Sequence, residues 1–180
     1  MGRGGHSDDE GTPYDQSLEE MDFLRSACSA AQKGMSSKLE AMLKRRPDLV
    51  KSDGGDNRSG YTPLHYASRE GHLDCVKLLL DTGADVNGTT KAGNATSLQR
   101  AAYTGKTEVV RFLLQRGANA MLQDSDGETA LHKASTNGHV DTTRALLDAC
   151  PGACLICDRK QKTPAECATG EVRALFEADS

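Results

Sequence analysis

The sequence predicts an all-α solenoid, a stack of helix–turn–helix units joined by β-hairpin-like loops. Three observations carry this. Thr62, Thr96, Thr129 and Thr163 recur at intervals of 34, 33 and 34 residues. The same apolar offsets follow each of them: Leu64 and Ala67, Leu98 and Ala101, Leu131 and Ala134, Ala165 and Ala168. A glycine stands nine residues after the first three threonines, at Gly71, Gly105 and Gly138. Self-similarity at this period marks one supersecondary unit repeated along the chain.

Taken in order, residues 1–17 are rich in Gly, Asp and Ser, bury little, and are expected to be a disordered acidic tail. The repeat domain is expected over 18–180. Its first unit, 18–56, is degenerate. Phe23, Leu24, Ala27, Ala30 and Ala31 fall at helical spacing, and Leu39, Met42 and Leu43 form a second helix after Gly34. Lys33, Lys38, Glu40, Lys44 and Arg45 suit the water-facing side that a terminal cap needs. The run Lys44-Arg45-Arg46 complements a helix dipole rather than marking nuclear targeting.

The second unit, 57–90, turns at Gly60. Thr62 sits at the N-cap and Pro63 at the first helical position, where the missing N–H costs nothing. Val76, Leu78, Leu79 and Leu80 line its second helix, which Gly83 ends. The third unit, 91–123, keeps Val109, Val110, Phe112, Leu113 and Leu114 but carries Ser97 and Gln99 where the pattern has Pro and His. In the fourth, 124–157, Thr142 and Thr143 replace the valines, so lower stability is expected there. The fifth, 158–180, is shortened and capped by Val172, Leu175 and Phe176, with polar Glu171, Arg173, Glu177 and Asp179 outside.

The cycle Thr62-Pro63-Leu64-His65-Tyr66-Ala67, echoed by Thr129-Ala130-Leu131-His132, resembles the ankyrin repeat over about residues 22–177, and most closely the small members built of such repeats alone. The resemblance implies a binding module with no assigned reaction. It also implies that His65 and His132 pin loops by hydrogen bonds and that His72 and His139 are structural.

Composition narrows the function. At 180 residues there is chain enough for one real core. No apolar run approaches the ~18 residues of a membrane span, and residues 1–6 have no signal-peptide core. The net charge of −4 argues against nucleic acid. Residues 1–20 hold six acids against Arg3, so the remainder carries about +1. Six cysteines without an export signal read as reduced thiols. The expected location is cytoplasmic, with nuclear entry open, and the expected state is a monomer.

No nucleophile elbow, phosphate-cradling loop or paired carboxylates appear. Residues 93–96 make a hairpin tip without the lysine of a P-loop, and the chain is expected not to be an enzyme and to need no cofactor. Asp124, Asp126 and Glu128 lack the spacing of an EF-hand and read as a solvated acidic tip. Cys150, Cys154, Cys157 and Cys167 supply the one alternative reading, a zinc- or redox-responsive protein. The same proline-bearing loop, at Arg46-Pro47-Asp48-Leu49-Val50, has no cysteine, so Cys154 and Leu155 read instead as apolar plugs.

Function is therefore expected on the concave side, where hairpin tips and inner-helix ends are exposed. The family's variable positions fall on Arg58, Ser59, Tyr61, Arg69 and Glu70 in the second unit. They fall on Ala92, Gly93, Ala95, Tyr103 and Thr104 in the third, Ser125, Asp126, Glu128, Thr136 and Asn137 in the fourth, and Arg159, Lys160 and Lys162 in the fifth. Tyr61 and Tyr103 are expected to be exposed aromatic anchors for another protein.

Overall fold

The computed structural model describes residues 27–51 and 60–177. The acidic tail, Arg58 and Ser59 lie outside them. Two rows of helices run along the stack. One row holds α3 (Pro63–Glu70), α5 (Ser97–Tyr103), α7 (Ala130–Thr136) and α9 (Pro164–Cys167). The other holds α2 (Ser36–Arg45), α4 (Leu73–Asp81), α6 (Thr107–Gln115), α8 (Val140–Ala149) and α10 (Glu171–Glu177). Helical residues 27–32, α1, precede α2. The described residues form an all-α solenoid of stacked helix pairs. Among the described residues the loops form no strand, and one antiparallel bridge, Thr89 with Thr96, is their only sheet pairing.

Each inner helix starts for the same reason. The repeat threonine takes an extended backbone, and the side chain three residues on reaches back to its N–H: His65 Nδ1 accepts from Thr62 N at 3.2 Å, Gln99 Oε1 from Thr96 N at 2.7 Å, His132 Nδ1 from Thr129 N at 3.1 Å, and Glu166 Oε2 from Thr163 N at 2.8 Å. This reciprocal cap satisfies donors that a helix start leaves open. The other end of the imidazole or amide ties down the following loop. His65 Nε2 lies 3.1 Å from both the Gly88 and Ala95 carbonyls. Gln99 Nε2 donates to the equivalent carbonyls of Leu122 and Glu128, at 2.9 and 2.8 Å. The departure at Gln99 thus keeps the bonding that His65 makes one unit earlier.

Units are stitched at the turn between the two rows. Gly105 has φ +67°, and a Cβ there would lie 2.6 Å from the His139 ring, whose Nε2 bonds the Tyr103 carbonyl at 3.0 Å. His72 does the same to the Gln32 carbonyl at 3.0 Å. Glycine is needed both for the left-handed backbone and for this approach. The core is continuous: Leu64, Leu98 and Leu131, each 1% exposed, belong to one cluster with Val76, Leu79, Val110, Leu113 and Leu146. No unit could bury such a flank alone.

Two local details differ from expectation or sharpen it. Leu155 is 79% exposed, and Ala153 is what fills the 3-10 turn Pro151–Leu155, as Leu49 fills Pro47–Lys51. The plug is thus one residue type smaller and two positions earlier than Leu155. In α8, Thr142 Oγ1 meets Thr107 Oγ1 at 2.8 Å, whereas the buried Thr143 hydroxyl has no partner among the described residues. Replacing Thr143 with valine removes a stranded polar atom, so chemical unfolding should show a gain of about 1 kcal/mol. Thr142→Val should show no such gain.

Candidate protein-binding face

Inner-helix ends and loop tips carry exposed side chains in successive units. Seven and eight residues after the repeat threonines stand Arg69 and Glu70, then Tyr103 and Thr104. Arg69 and Glu70 are exposed and approach each other only to 4.0 Å. Tyr103 is 49% exposed, the one large aromatic so exposed among the described residues. Thr104 is half-buried: its hydroxyl donates to the Arg69 carbonyl at 2.7 Å, which makes it a stitch between units more than a free contact.

The loop tips are likewise cross-linked. Ser125 N donates to the Gly93 carbonyl at 2.8 Å, and Arg159 N to the Asp126 carbonyl at 3.0 Å. Ser125 is half-buried, whereas Asp126, Arg159 and Lys160 project outward. Asp158 is buried inside its turn, its Oδ1 accepting from Lys160 N at 2.8 Å and Lys162 N at 2.9 Å. These bonds hold its carboxyl below the usual carboxylate range.

Ala95, expected on this face, is buried. Tyr61 also requires a correction: it is half-buried, not an exposed anchor. Its ring sits 5.2 Å from Tyr66 and 5.6 Å from His65, and the Arg100 guanidinium covers it at 4.9 Å. Arg100 is the residue that sequence reasoning passed over. The available signal was its register, four residues after Thr96, the position that Lys133 holds after Thr129.

The acidic tip also changes character. Asp124, Asp126 and Glu128 bring carboxylate oxygens within 4.8 Å of one another. Lys133 fills the charge they create: its Nζ lies 2.7 Å from Asp124 and also pairs with Glu128. Burial works to lower the Lys133 pKa, and the hydrogen bonds and charges of those two acids more than reverse it, so the net shift is upward. Asp124 Oδ1 further accepts from Asp126 N and Glu128 N, both at 2.9 Å. Glu128 is therefore half-buried and paired rather than solvated.

The four C-terminal cysteines do not converge. Among the described residues, the acidic trio is the only group of three or more His, Cys, Asp or Glu ligand atoms close enough to share an ion. Cys150 and Cys154 pack on the core, Cys157 is exposed, and none of the six cysteines forms a disulfide. Burial, then the charges of Asp158 and Glu128, push the Cys167 thiol up, opposite to a redox-active thiol. Burial does the same to Cys75. Alkylation followed by intact mass should modify Cys157 at least about tenfold faster than Cys75.

A family profile described as ankyrin repeats, in three copies, matches residues 27–124 and 98–178. The chain belongs to the ankyrin-repeat family. Its repeats are 41% identical, over 129 residues, to those of the probable E3 ubiquitin-protein ligase XBOS33 of Oryza sativa subsp. japonica, covering 69% of this chain and 24% of the relative. They are 40% identical over 122 residues to the E3 ubiquitin-protein ligase XBAT33 of Arabidopsis thaliana, covering 66% and 23%. A transient receptor potential cation channel subfamily A member 1 homolog of Caenorhabditis elegans is 38% identical over 93 residues, covering 51% and 8%. This ankyrin chain thus spans about a quarter of the length of the plant relatives it matches. The expectation that it is not an enzyme is contradicted by those names: relatives 37–41% identical are named E3 or probable E3 ubiquitin-protein ligases, and the ankyrin repeats are the part that aligns. No helix of the described residues is long and apolar enough to cross a membrane.

Proposed function

We propose that this chain holds another protein on its inner-helix face and that the bound protein is thereby brought to ubiquitin ligation, the role of the repeats being selection of the partner. The observation that carries the reading is the exposure of Arg69, Glu70 and Tyr103 at the ends of two neighbouring inner helices, over a core that is otherwise closed. Exposed aromatic and arginine side chains at the centre of a rigid face are the commonest energetic anchors of interfaces. The ligase names of the plant relatives support the ubiquitin half of the proposal. We place the protein in the cytoplasm as a monomer, a reading supported by six cysteines that form no disulfide. A narrower resemblance, of residues 18–23 (outside the described residues), 60–69 and Asp158-Arg159-Lys160 to the small protein named ankyrin repeat domain-containing protein 39, fits a dedicated binding array.

Affinity capture with the full chain, run beside an Arg69→Ala, Tyr103→Ala variant, tests this. The variant should keep its helical circular dichroism and lose a defined set of captured proteins that includes ubiquitin-conjugated species. An unchanged capture profile would count against this face.

A further inference from the structure

Four residues after each repeat threonine, the inner row presents Tyr66, Arg100, Lys133 and Cys167 between helix and loop. The two cations in this column have opposite surroundings. Lys133 is saturated by its own loop, through Asp124 and Glu128. In the loop of Arg100 the same two places hold no charge. Thr90 does the turn-closing work of Asp124, its hydroxyl accepting from Ala95 N at 3.0 Å, and Ala95 stands where Glu128 does.

Among the described residues Arg100 is consequently a cation without a counterion. It makes no ion pair among the described residues, and its Nε is buried with no hydrogen-bond partner. What it has is the Tyr61 ring, 4.9 Å below. Stacking fixes the plane of the guanidinium and leaves its fork of N–H donors unspent. A half-buried donor left open costs free energy unless something from outside fills it.

We propose that Arg100, held flat on Tyr61, receives an acidic side chain of a bound protein segment, with Tyr103 and Arg69 contacting the residues beside that acid. The proposal rests on the reading of the inner face as a protein-binding surface. Tyr103 follows Arg100 by one helical turn, and Arg69 stands at the same register as Tyr103 on the adjacent helix. A carboxylate fits better than a phosphate. It is planar, matches one guanidinium with two parallel bonds, and carries one charge. A phosphate carries nearly two and would call for a second cation on the same group, whereas the Tyr61 ring supports a single guanidinium.

The test starts with random peptides displayed on phage and selected on the full chain, followed by titration of the best synthetic peptide. Wild-type selections should share an Asp or Glu at one fixed place. Arg100→Gln should weaken the peptide about tenfold or more, the loss typical of one charge-assisted hydrogen bond. Changing the peptide acid to its amide should cost the same, and both changes together little more than either. Arg100→Lys should recover part of the loss. Ala95→Glu, which gives Arg100 an internal partner as Glu128 does for Lys133, should block the peptide without removing the arginine. Peptides with no shared acid, or peptides that bind Arg100→Gln normally but are weakened by Tyr103→Ala, overturn the Arg100 site and leave the face intact. Peptides indifferent to Arg69, Arg100 and Tyr103, or selections that yield none, overturn both.

Discussion

Leu98→Ala is expected to lower stability by about 3 kcal/mol, within the 2–5 kcal/mol typical of a fully buried leucine. Leu98 is 1% exposed in the middle of the stack, in the same core cluster as Leu64 and Leu131 on the units either side. The cost should therefore reach beyond its own unit. Repeat arrays are stabilised largely by the contacts between neighbours, so weakening the central one should broaden urea unfolding and lower its apparent m-value. Leu155→Ala provides the contrast. At 79% exposure its change should stay within about 0.5 kcal/mol. A Leu98→Ala loss as small as that of Leu155→Ala would mean that the units are not sharing a core.

The second large effect is acid sensitivity at His65. Thr62 N can only donate, so Nδ1 accepts and the single proton sits on Nε2, facing the Gly88 and Ala95 carbonyls. Burial, with a contribution from the charge of Arg100, lowers the His65 pKa from 6.5 to about 4. The unfolded chain therefore binds the proton more readily than the folded one. Stability from this group is complete above pH 6.5 and is lost as pH falls toward 4, by about 3 kcal/mol over that window. His65→Gln should copy the bonding of Gln99, cost about 1 kcal/mol or less at pH 7, and flatten the profile between pH 6.5 and 4. His65→Ala should flatten it too but cost about 2 kcal/mol or more at pH 7, because two carbonyls lose their donor. Equal acid sensitivity in wild type and His65→Gln would remove His65 as its source.

The repeats were legible because their signals are local and periodic. A threonine, an apolar pair and a left-handed glycine recur at fixed offsets, and each acts within its own helix or turn. Gln99 was the hard position: it breaks the residue pattern and preserves the bond pattern, because an amide offers an acceptor and a donor at nearly the places where imidazole does. What sequence reasoning missed depends on partners from other turns. Tyr61 reads as a surface aromatic until Arg100, 39 residues on, lies over it. Glu128 reads as solvated until Lys133, one turn into the next helix, folds back on it. Leu155 reads as a plug until the 3-10 turn puts Ala153 in that place. The expectation of no enzyme failed for a different reason. Repeats encode a surface, and the chemistry that the plant relatives' names describe is not legible in that surface.

Amide hydrogen exchange on the full chain, with and without a captured protein, tests the binding face most directly. Protection should rise at the ends of α3 and α5, around Arg69 and Tyr103, and in the neighbouring loop tips, while α4, α6 and α8 exchange as before. Protection confined to that outer row, with α3 and α5 unchanged, would contradict the account.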